Sequence, residues 1–242
     1  MDISISIIIP AYNEENRISG YLDTILTYLN TEKYLYEIII VDDGSTDATA
    51  SVVNNYIARN PNIKLITLPH NCGKGCAVKT GMIQATGTLR LFTDADGATP
   101  ITELQRLRNE IDHGADVAIG SRAKYSNDCV VKGTLHRRIM GSVFNLLVQA
   151  LMVKNISDTQ CGFKLFTAKA ASTVFPLQSI SGFGFDVEIL FICDRKGFTI
   201  KEVPVNWSEI PRSKVKLFQD SIKMFLDIFK IRINYLKGIY NS

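Results

Sequence analysis

Short apolar runs rich in β-branched residues recur through the first half of the chain and alternate with longer stretches of helical periodicity. Residues 3–9, 37–41, 63–68, 89–93 and 117–119 predict five strands. Their apolar character is continuous rather than alternating, as expected of strands covered on both faces. Between them, residues 14–29, 47–59, 74–85 and 101–113 predict helices. This order implies an α/β fold, a Rossmann-like, mostly parallel central sheet with helices on both faces. Ser45-Thr46-Asp47 and Thr99-Pro100-Ile101 mark helix starts, the second with Pro in the first turn.

The second half has a different rhythm. Residues 135–153 predict a helix, 155–159 a loop, 163–166 a short strand, and a further helix begins at Ala168. Residues 185–196 predict a helix, 199–206 a strand and 216–236 a last long helix. In that last helix Lys216, Asp220, Lys223, Asp227, Lys230, Asn234 and Lys237 form a narrow polar stripe spaced by four and three. Phe218, Ile222, Phe225, Phe229, Ile231, Ile233 and Leu236 leave an apolar arc too broad for ordinary one-sided packing. Such a helix is either buried against the core or a second subunit, or lies on a membrane with its lysines against anionic headgroups. No linker, repeat or low-complexity tract divides the chain, so one domain over residues 1–242 is expected.

Composition narrows the classes. An apolar fraction of 46% and a charged fraction of 21% are those of an ordinary globular protein. A net charge of +3 without a basic arm gives no nucleic-acid partner. Cys72, Cys76, Cys129, Cys161 and Cys193 are scattered and lack metal-site spacing, so reduced thiols in a cytoplasmic compartment are expected. The first apolar run stops at Pro10, short of the ~20 residues a membrane span requires, and no other stretch reaches that length without charge. A soluble chain, or one peripheral on the membrane, is expected.

In open α/β sheets ligands bind beyond the carboxyl ends of the strands, and polar clusters fall there repeatedly. The first strand runs into Pro10-Ala11-Tyr12-Asn13-Glu14-Glu15, the second into Asp42-Asp43-Gly44-Ser45. The third precedes Asn71-Cys72-Gly73-Lys74-Gly75 and the fourth Asp94-Ala95-Asp96. Any one of these could be a strand end with a helix cap; four in register form a site. Asp94 and Asp96 can share a hard cation, Mg²⁺ or Mn²⁺, with phosphate oxygens completing the shell. Lys74 at a helix start suits an anion, although a surface lysine between turn glycines reads the same way. Arg122 in Gly120-Ser121-Arg122, and Arg137 and Arg138 after His136, offer planar forks for phosphate.

In order, the segment from Pro10 to Glu14, Val41-Asp42-Asp43-Gly44-Ser45-Thr46-Asp47 and Asp94-Ala95-Asp96 resemble glycosyltransferase family 2 over nearly the whole chain. Asn71-Cys72-Gly73-Lys74-Gly75-Cys76-Ala77-Val78-Lys79 and Asp158-Thr159-Gln160-Cys161-Gly162-Phe163-Lys164 resemble its polyprenyl-phosphate branch. Asp94-Ala95-Asp96-Gly97-Ala98-Thr99, Gly182-Phe183-Gly184-Phe185-Asp186-Val187-Glu188 and Ser213-Lys214-Val215 are closer to the dolichyl-phosphate β-glucosyltransferases than to the mannosyl enzymes, which carry Gln where Ala98 stands. The eukaryotic glucosyl enzymes have an N-terminal membrane anchor that these residues do not supply.

The resemblance implies a GT-A fold and inverting transfer of a hexose from a nucleotide-sugar, UDP-glucose, to a polyprenyl or dolichyl phosphate at the cytoplasmic membrane face. It divides the domain into a nucleotide-sugar half, residues 1–122, an acceptor half, 123–212, and the amphipathic helix, 213–242. It places Pro10, Tyr12, Glu14, Asp42, Asp43, Lys74 and Ala95 at the nucleotide, with Asp94 and Asp96 at the ribose and the metal-bound diphosphate. Arg122, Arg137 and Arg138 would neutralise phosphates, and Lys214, with Arg212, would reach the acceptor phosphate. A phosphate acceptor is already anionic and requires no general base; Asp186 is the candidate if one exists. The rivals are GDP-mannose as donor, a sugar or protein hydroxyl as acceptor, and a nucleotidyltransferase or a degenerate scaffold on the same sheet.

Overall fold

The computed structural model describes residues 4–132, 152–153, 156–210 and 217–241, the side chains of 217–221 excepted. The strands are β1 (Ile5–Ala11), β2 (Tyr36–Asp42), β3 (Ile63–Thr67), β4 (Leu89–Thr93), β5 (Val117–Ser121), β6 (Val131–Lys132), β7 (Phe163–Thr167), β8 (Ile200–Pro204) and β9 (Trp207–Ser208). Seven of them form one sheet in the order β3-β2-β1-β4-β7-β5-β8, and β6 pairs with β9 beside it. Every pairing in the large sheet is parallel except those of β7, which runs antiparallel between β4 and β5.

The helices are α1 (Ile18–Thr31), α2 (Thr49–Ile57), α3 (Lys74–Gln84), α4 (Leu104–Asp112), α5 (Ala168–Leu177), α6 (Phe185–Arg195) and α7 (Leu217–Leu236). Alternate residues of each central strand enter opposite layers. Ile7 and Ile9 join Ile18, Leu22 and Ile25 of α1, whereas Ile8 joins Ala77, Val78 and Met82 of α3. Both faces are therefore apolar, and each fully buried aliphatic side chain stabilises the fold by roughly 1.5–3 kcal/mol. On the α3 side the approach is close: a Cβ on Gly81 would stand 2.5 Å from Ile8 Cγ2.

Several boundaries move for local reasons. Helix α1 starts at Ile18 rather than at residue 14, because Asn13 adopts φ 52° and the chain turns first. Helix α2 starts at Thr49; Asp47 Oδ1 accepts the Thr49 N–H at 2.9 Å, so the predicted starter lies just ahead of the helix. Residues 101–103 form a 3₁₀ turn before α4. The strand expected over 199–206 splits into β8 and β9, with Asn206 at the break donating to Glu103 Oε1 at 2.7 Å and accepting from Val130 N at 2.9 Å. The helix expected over 135–153 lies outside the described residues apart from Met152 and Val153, which are buried.

The polar stripe of α7 does not form a single solvent edge. Asn234 is buried, donating to Ser179 Oγ at 2.9 Å, while Lys223, Lys230 and Lys237 are exposed. Ile228 and Ile231 enter the core with α6, and Ile222, Phe225, Leu226, Phe229, Ile233 and Leu236 remain exposed. Tertiary packing divides the apolar arc in two.

Candidate active site

β1 pairs with β2 as far as Ala11 opposite Asp42, but its pairing with β4 ends at Ile8 opposite Phe92. A crevice therefore opens between the ends of β1 and β4, where the strand order reverses and ligands of open α/β sheets bind. The turn after β1, Asp42 and Asp43 at the end of β2, Asp94 and Asp96 after β4, and Arg122 after β5 all stand on that rim. The sheet brings together residues more than 100 positions apart.

The loops beyond β1 and β2 are laced to each other. Asn13 N–H donates to Ser45 Oγ at 2.8 Å, and Asn13 Oδ1 accepts from Thr46 N at 2.8 Å. Glu14 N–H donates to Thr49 Oγ1 at 2.7 Å, and its carboxylate takes Arg17 Nε and Nη2, both at 2.6 Å. Asp42 is buried and accepts from Ser45 N at 2.9 Å. Gly44, with φ 70°, passes so near the next loop that a Cβ would meet the His70 carbonyl carbon at 2.6 Å. Asp43, expected at the nucleotide, instead turns both oxygens to the N–H groups of Cys72 and Gly73, at 2.7 and 2.9 Å. Burial raises its carboxyl above the ordinary value, and those two N–H groups offset only part of this. Its place is to hold the loop that carries Lys74. Pro10 and Tyr12 are half-buried on the rim, and Ala95 is buried between the two acids.

Lys74 Nζ lies 2.6 Å from Asp94 Oδ1. Burial works against the ammonium, but Asp94, Asp186 and Asp96 outweigh it and raise its affinity for the proton. Asp96 accepts from Ala98 N at 3.1 Å; burial first, and then the Asp94 charge, raise its carboxyl. Two partly buried carboxylates that repel each other are suited to a shared divalent cation. Two carboxylates offer hard oxygen donors of the kind Mg²⁺ or Mn²⁺ takes, with phosphate oxygens to complete the shell; among the described residues no group of three or more His, Cys, Asp or Glu could cage a metal. Gly162 leaves the room: a Cβ there would stand 2.1 Å from Asp94 Oδ2, while Gly162 O accepts the Asp94 N–H at 3.1 Å.

Arg122 is locked by Asp158, with Nε to Oδ2 at 2.7 Å and Nη2 to Oδ1 at 2.8 Å, and its guanidinium lies 5.5 Å from the Trp207 ring. Burial opposes the guanidinium charge; Asp158 more than restores it. Asp186 cannot act as a general base from where it stands. It is sealed under the rim and bonded to Lys164, whose Nζ also donates to Cys161 O at 2.6 Å and lies 5.0 Å from the Phe92 ring. Arg137, Arg138, Arg212 and Lys214 lie outside the described residues.

Arg17, Asp158 and Lys164 were given no role by the sequence. The three-residue spacing of Glu14 and Arg17 could have drawn attention to the first. Arg17 shares a cavity of about 780 Å³ with Tyr21, Tyr28, Asp96, Gly97 and Ile101. That volume lies within the range of small-molecule sites, and Arg17 Nη1 is buried there without a partner.

The model of Glycosyl transferase family 2 matches residues 6–175. The chain belongs to that family. A dolichyl-phosphate beta-glucosyltransferase of Dictyostelium discoideum is 44% identical over 252 residues, covering 99% of this chain and 77% of that protein. Proteins of the same name from Saccharomyces cerevisiae and Homo sapiens are 39% and 36% identical, covering 100% and 98% of this chain and 78% and 77% of their own lengths. Among solved structures, glucosyl-3-phosphoglycerate synthase from Mycobacterium tuberculosis, in complex with Mn²⁺, uridine-diphosphate and glucosyl-3-phosphoglycerate, superposes with a TM-score of 0.69. The alignment covers 95% of this chain and 80% of that one at 20% identity, a likeness of fold. This member of glycosyl transferase family 2 thus has the GT-A architecture, a mostly parallel sheet with helices on both faces.

Proposed function

We propose that this family 2 enzyme transfers glucose from UDP-glucose to the phosphate of a dolichyl or other polyprenyl phosphate, with inversion, using Mg²⁺ or Mn²⁺ at Asp94 and Asp96. The relatives named for that reaction, which align with nearly the whole chain, support the sugar and the acceptor. One observation carries the chemistry: Asp158 and Asp186, beside the proposed metal carboxylates, are both buried and each already paired with a cation, Arg122 and Lys164. A hydroxyl acceptor requires a base to take its proton, whereas a phosphate monoester is ionised already and requires positioning and charge neutralisation.

The chain's own groups have distinct tasks in this reading. Asp42 and Glu14 shape the nucleotide end. Lys74 offers its ammonium to the diphosphate. Arg122, held by Asp158 through Nε and Nη2, turns its remaining N–H groups to phosphate, joined by Arg137, Arg138 and Lys214. The bound cation would neutralise charge developing on the leaving diphosphate.

Attachment to a cytoplasmic membrane face is part of the proposal. Ile222, Phe225, Phe229, Ile233 and Leu236 repeat at three- and four-residue intervals along the exposed side of α7, with Lys223, Lys230 and Lys237 along one flank. That arrangement suits a helix lying on an anionic surface, and no described helix is long and apolar enough to cross a membrane. The test is incubation with Mn²⁺, labelled UDP-glucose or GDP-mannose, and a polyprenyl phosphate. Lipid-extractable glucose label is expected. Label from GDP-mannose alone, or label only in a water-soluble glycan when a hydroxyl acceptor is supplied, would overturn the assignment.

A further inference from the structure

The charged groups around Asp94 are paired among themselves: Lys74 with Asp94, Arg122 with Asp158 and Lys164 with Asp186. Two neutral groups on the loop that joins Asp158 to Gly162 are not. Thr159 is fully buried with its Oγ1 unpartnered, and the side-chain amide nitrogen of Gln160, Nε2, is buried and unpartnered as well. A buried hydrogen-bonding atom left without a partner costs ~1–3 kcal/mol, so native proteins keep few of them, and two on successive residues require a reason.

Their position supplies one. Gln160 N–H donates to Asp158 Oδ1 at 3.1 Å, and the same oxygen accepts from Arg122 Nη2 at 2.8 Å. Two residues on, Gly162 touches the Asp94 carboxylate and accepts its N–H. Gln160 is therefore strung between a phosphate-binding arginine and a metal carboxylate. The loop is rigid at its start, where Glu202 accepts the N–H groups of Ser157 and Asp158 at 2.8–3.0 Å. A preset amide and hydroxyl without charge match a ligand that is neutral and rich in hydroxyls.

We propose that Gln160 and Thr159 form the subsite that recognises the hexose of the nucleotide-sugar, with Gln160 donating to a sugar hydroxyl. The inference rests on the donor reading given above and adds which residues read the sugar. It separates the rim into a nucleotide and metal part, which free nucleotide also occupies, and a hexose part, which only the intact donor fills. Selectivity follows from the same chemistry, because a hydroxyl of the wrong orientation leaves the amide unpaired.

The experiment measures dissociation constants for UDP and UDP-glucose in Mn²⁺ by calorimetry, for the wild type, Gln160→Met and Thr159→Val. We expect UDP-glucose to weaken about tenfold in Gln160→Met, or ~1.4 kcal/mol, with UDP unchanged within twofold and discrimination against UDP-galactose reduced. Thr159→Val should show a smaller change of the same kind. Should Gln160→Met fail to fold, Gln160→Asn, which keeps the amide but withdraws it by one methylene, gives the same reading. Equal weakening of UDP and UDP-glucose, or no change in either, overturns the subsite. The readout is a ratio of sugar-bearing to free nucleotide, so it holds for either base. A wild type that binds guanosine but not uridine nucleotides would overturn the donor assignment, and the ratio for GDP-mannose over GDP would then decide the subsite.

Discussion

Lys74 Nζ stands 2.6 Å from Asp94 Oδ1, so the first residue of α3 places a cation on the carboxylate that ends β4. The loop that positions Lys74 is itself held by Asp43. Lys74 thus neutralises one of the two carboxylates proposed to hold the divalent ion. Lys74→Met is expected to bind Mn²⁺ several-fold more tightly than wild type without nucleotide, and UDP more weakly, measured by paramagnetic resonance titration and calorimetry. Unchanged Mn²⁺ affinity would show that the ammonium does not compete.

The carboxylates proposed to hold the metal, Asp94 and Asp96, should be indispensable to turnover. Asp96→Ala and Asp94→Asn are expected to lower transfer by about 100-fold or more, the scale of losing one preorganised charge-stabilising group. Chelator should abolish wild-type transfer and added Mn²⁺ restore it, followed as lipid-extractable label.

Beneath the site, Lys164 and Asp186 form a buried ion pair at 0% and 2% side-chain exposure. Removing one member strands the other charge in the core, at a cost of about 3–5 kcal/mol. Lys164→Met should lower the urea midpoint accordingly, and adding Asp186→Leu should recover much of the loss. A single variant as stable as wild type would contradict the pairing.

Glu37 sets an acid limit. Burial alone would raise its carboxyl, but Lys64 Nζ at 2.8 Å, with Ser6 Oγ, Thr86 N and Thr86 Oγ1 each at 2.7 Å, holds it down at about 2, against 4.5 unperturbed. A lowered folded value stabilises above the unfolded one, so the contribution is complete above pH 4.5 and disappears as pH falls towards 2. It amounts to about 3 kcal/mol at most, since Lys64 is half exposed and screened. Glu37→Gln should be less stable at neutral pH and show a flatter stability profile across that window in denaturant titrations.

The two sides of α7 should respond differently to the same change. Phe225→Asp with Phe229→Asp alters exposed positions and is expected to reduce sedimentation with anionic vesicles by about tenfold while far-UV circular dichroism is retained. Ile231→Asp, in the core, should instead lower the melting temperature. Unaltered vesicle binding by a folded double variant would assign the stripe to another role.

Much of this was legible in local pattern. Ile7, Ile8 and Ile9 are all apolar because neighbouring positions enter opposite layers, and that run announces a strand covered on both faces. Asp94 and Asp96 stand out as a candidate cation site because two carboxylates follow a strand end that by itself requires none. Residue chemistry and short-range spacing carry both signals. Arg17 was overlooked because its meaning comes from Glu14 and from a cavity bounded by residues 80 positions away.

The amino-acid order alone determined the α/β class, the strand ends that bear the candidate site and the family, since hydrophobic period and motif chemistry are written locally. Only tertiary structure decided which polar groups are already satisfied. Folding turned Asp43 to a loop, Asp158 to Arg122 and Asp186 to Lys164, left the side-chain Nε2 of Gln160 unpaired, and split the apolar arc of α7 between core and solvent. Those outcomes depend on long-range burial and partner geometry, which no window of sequence contains.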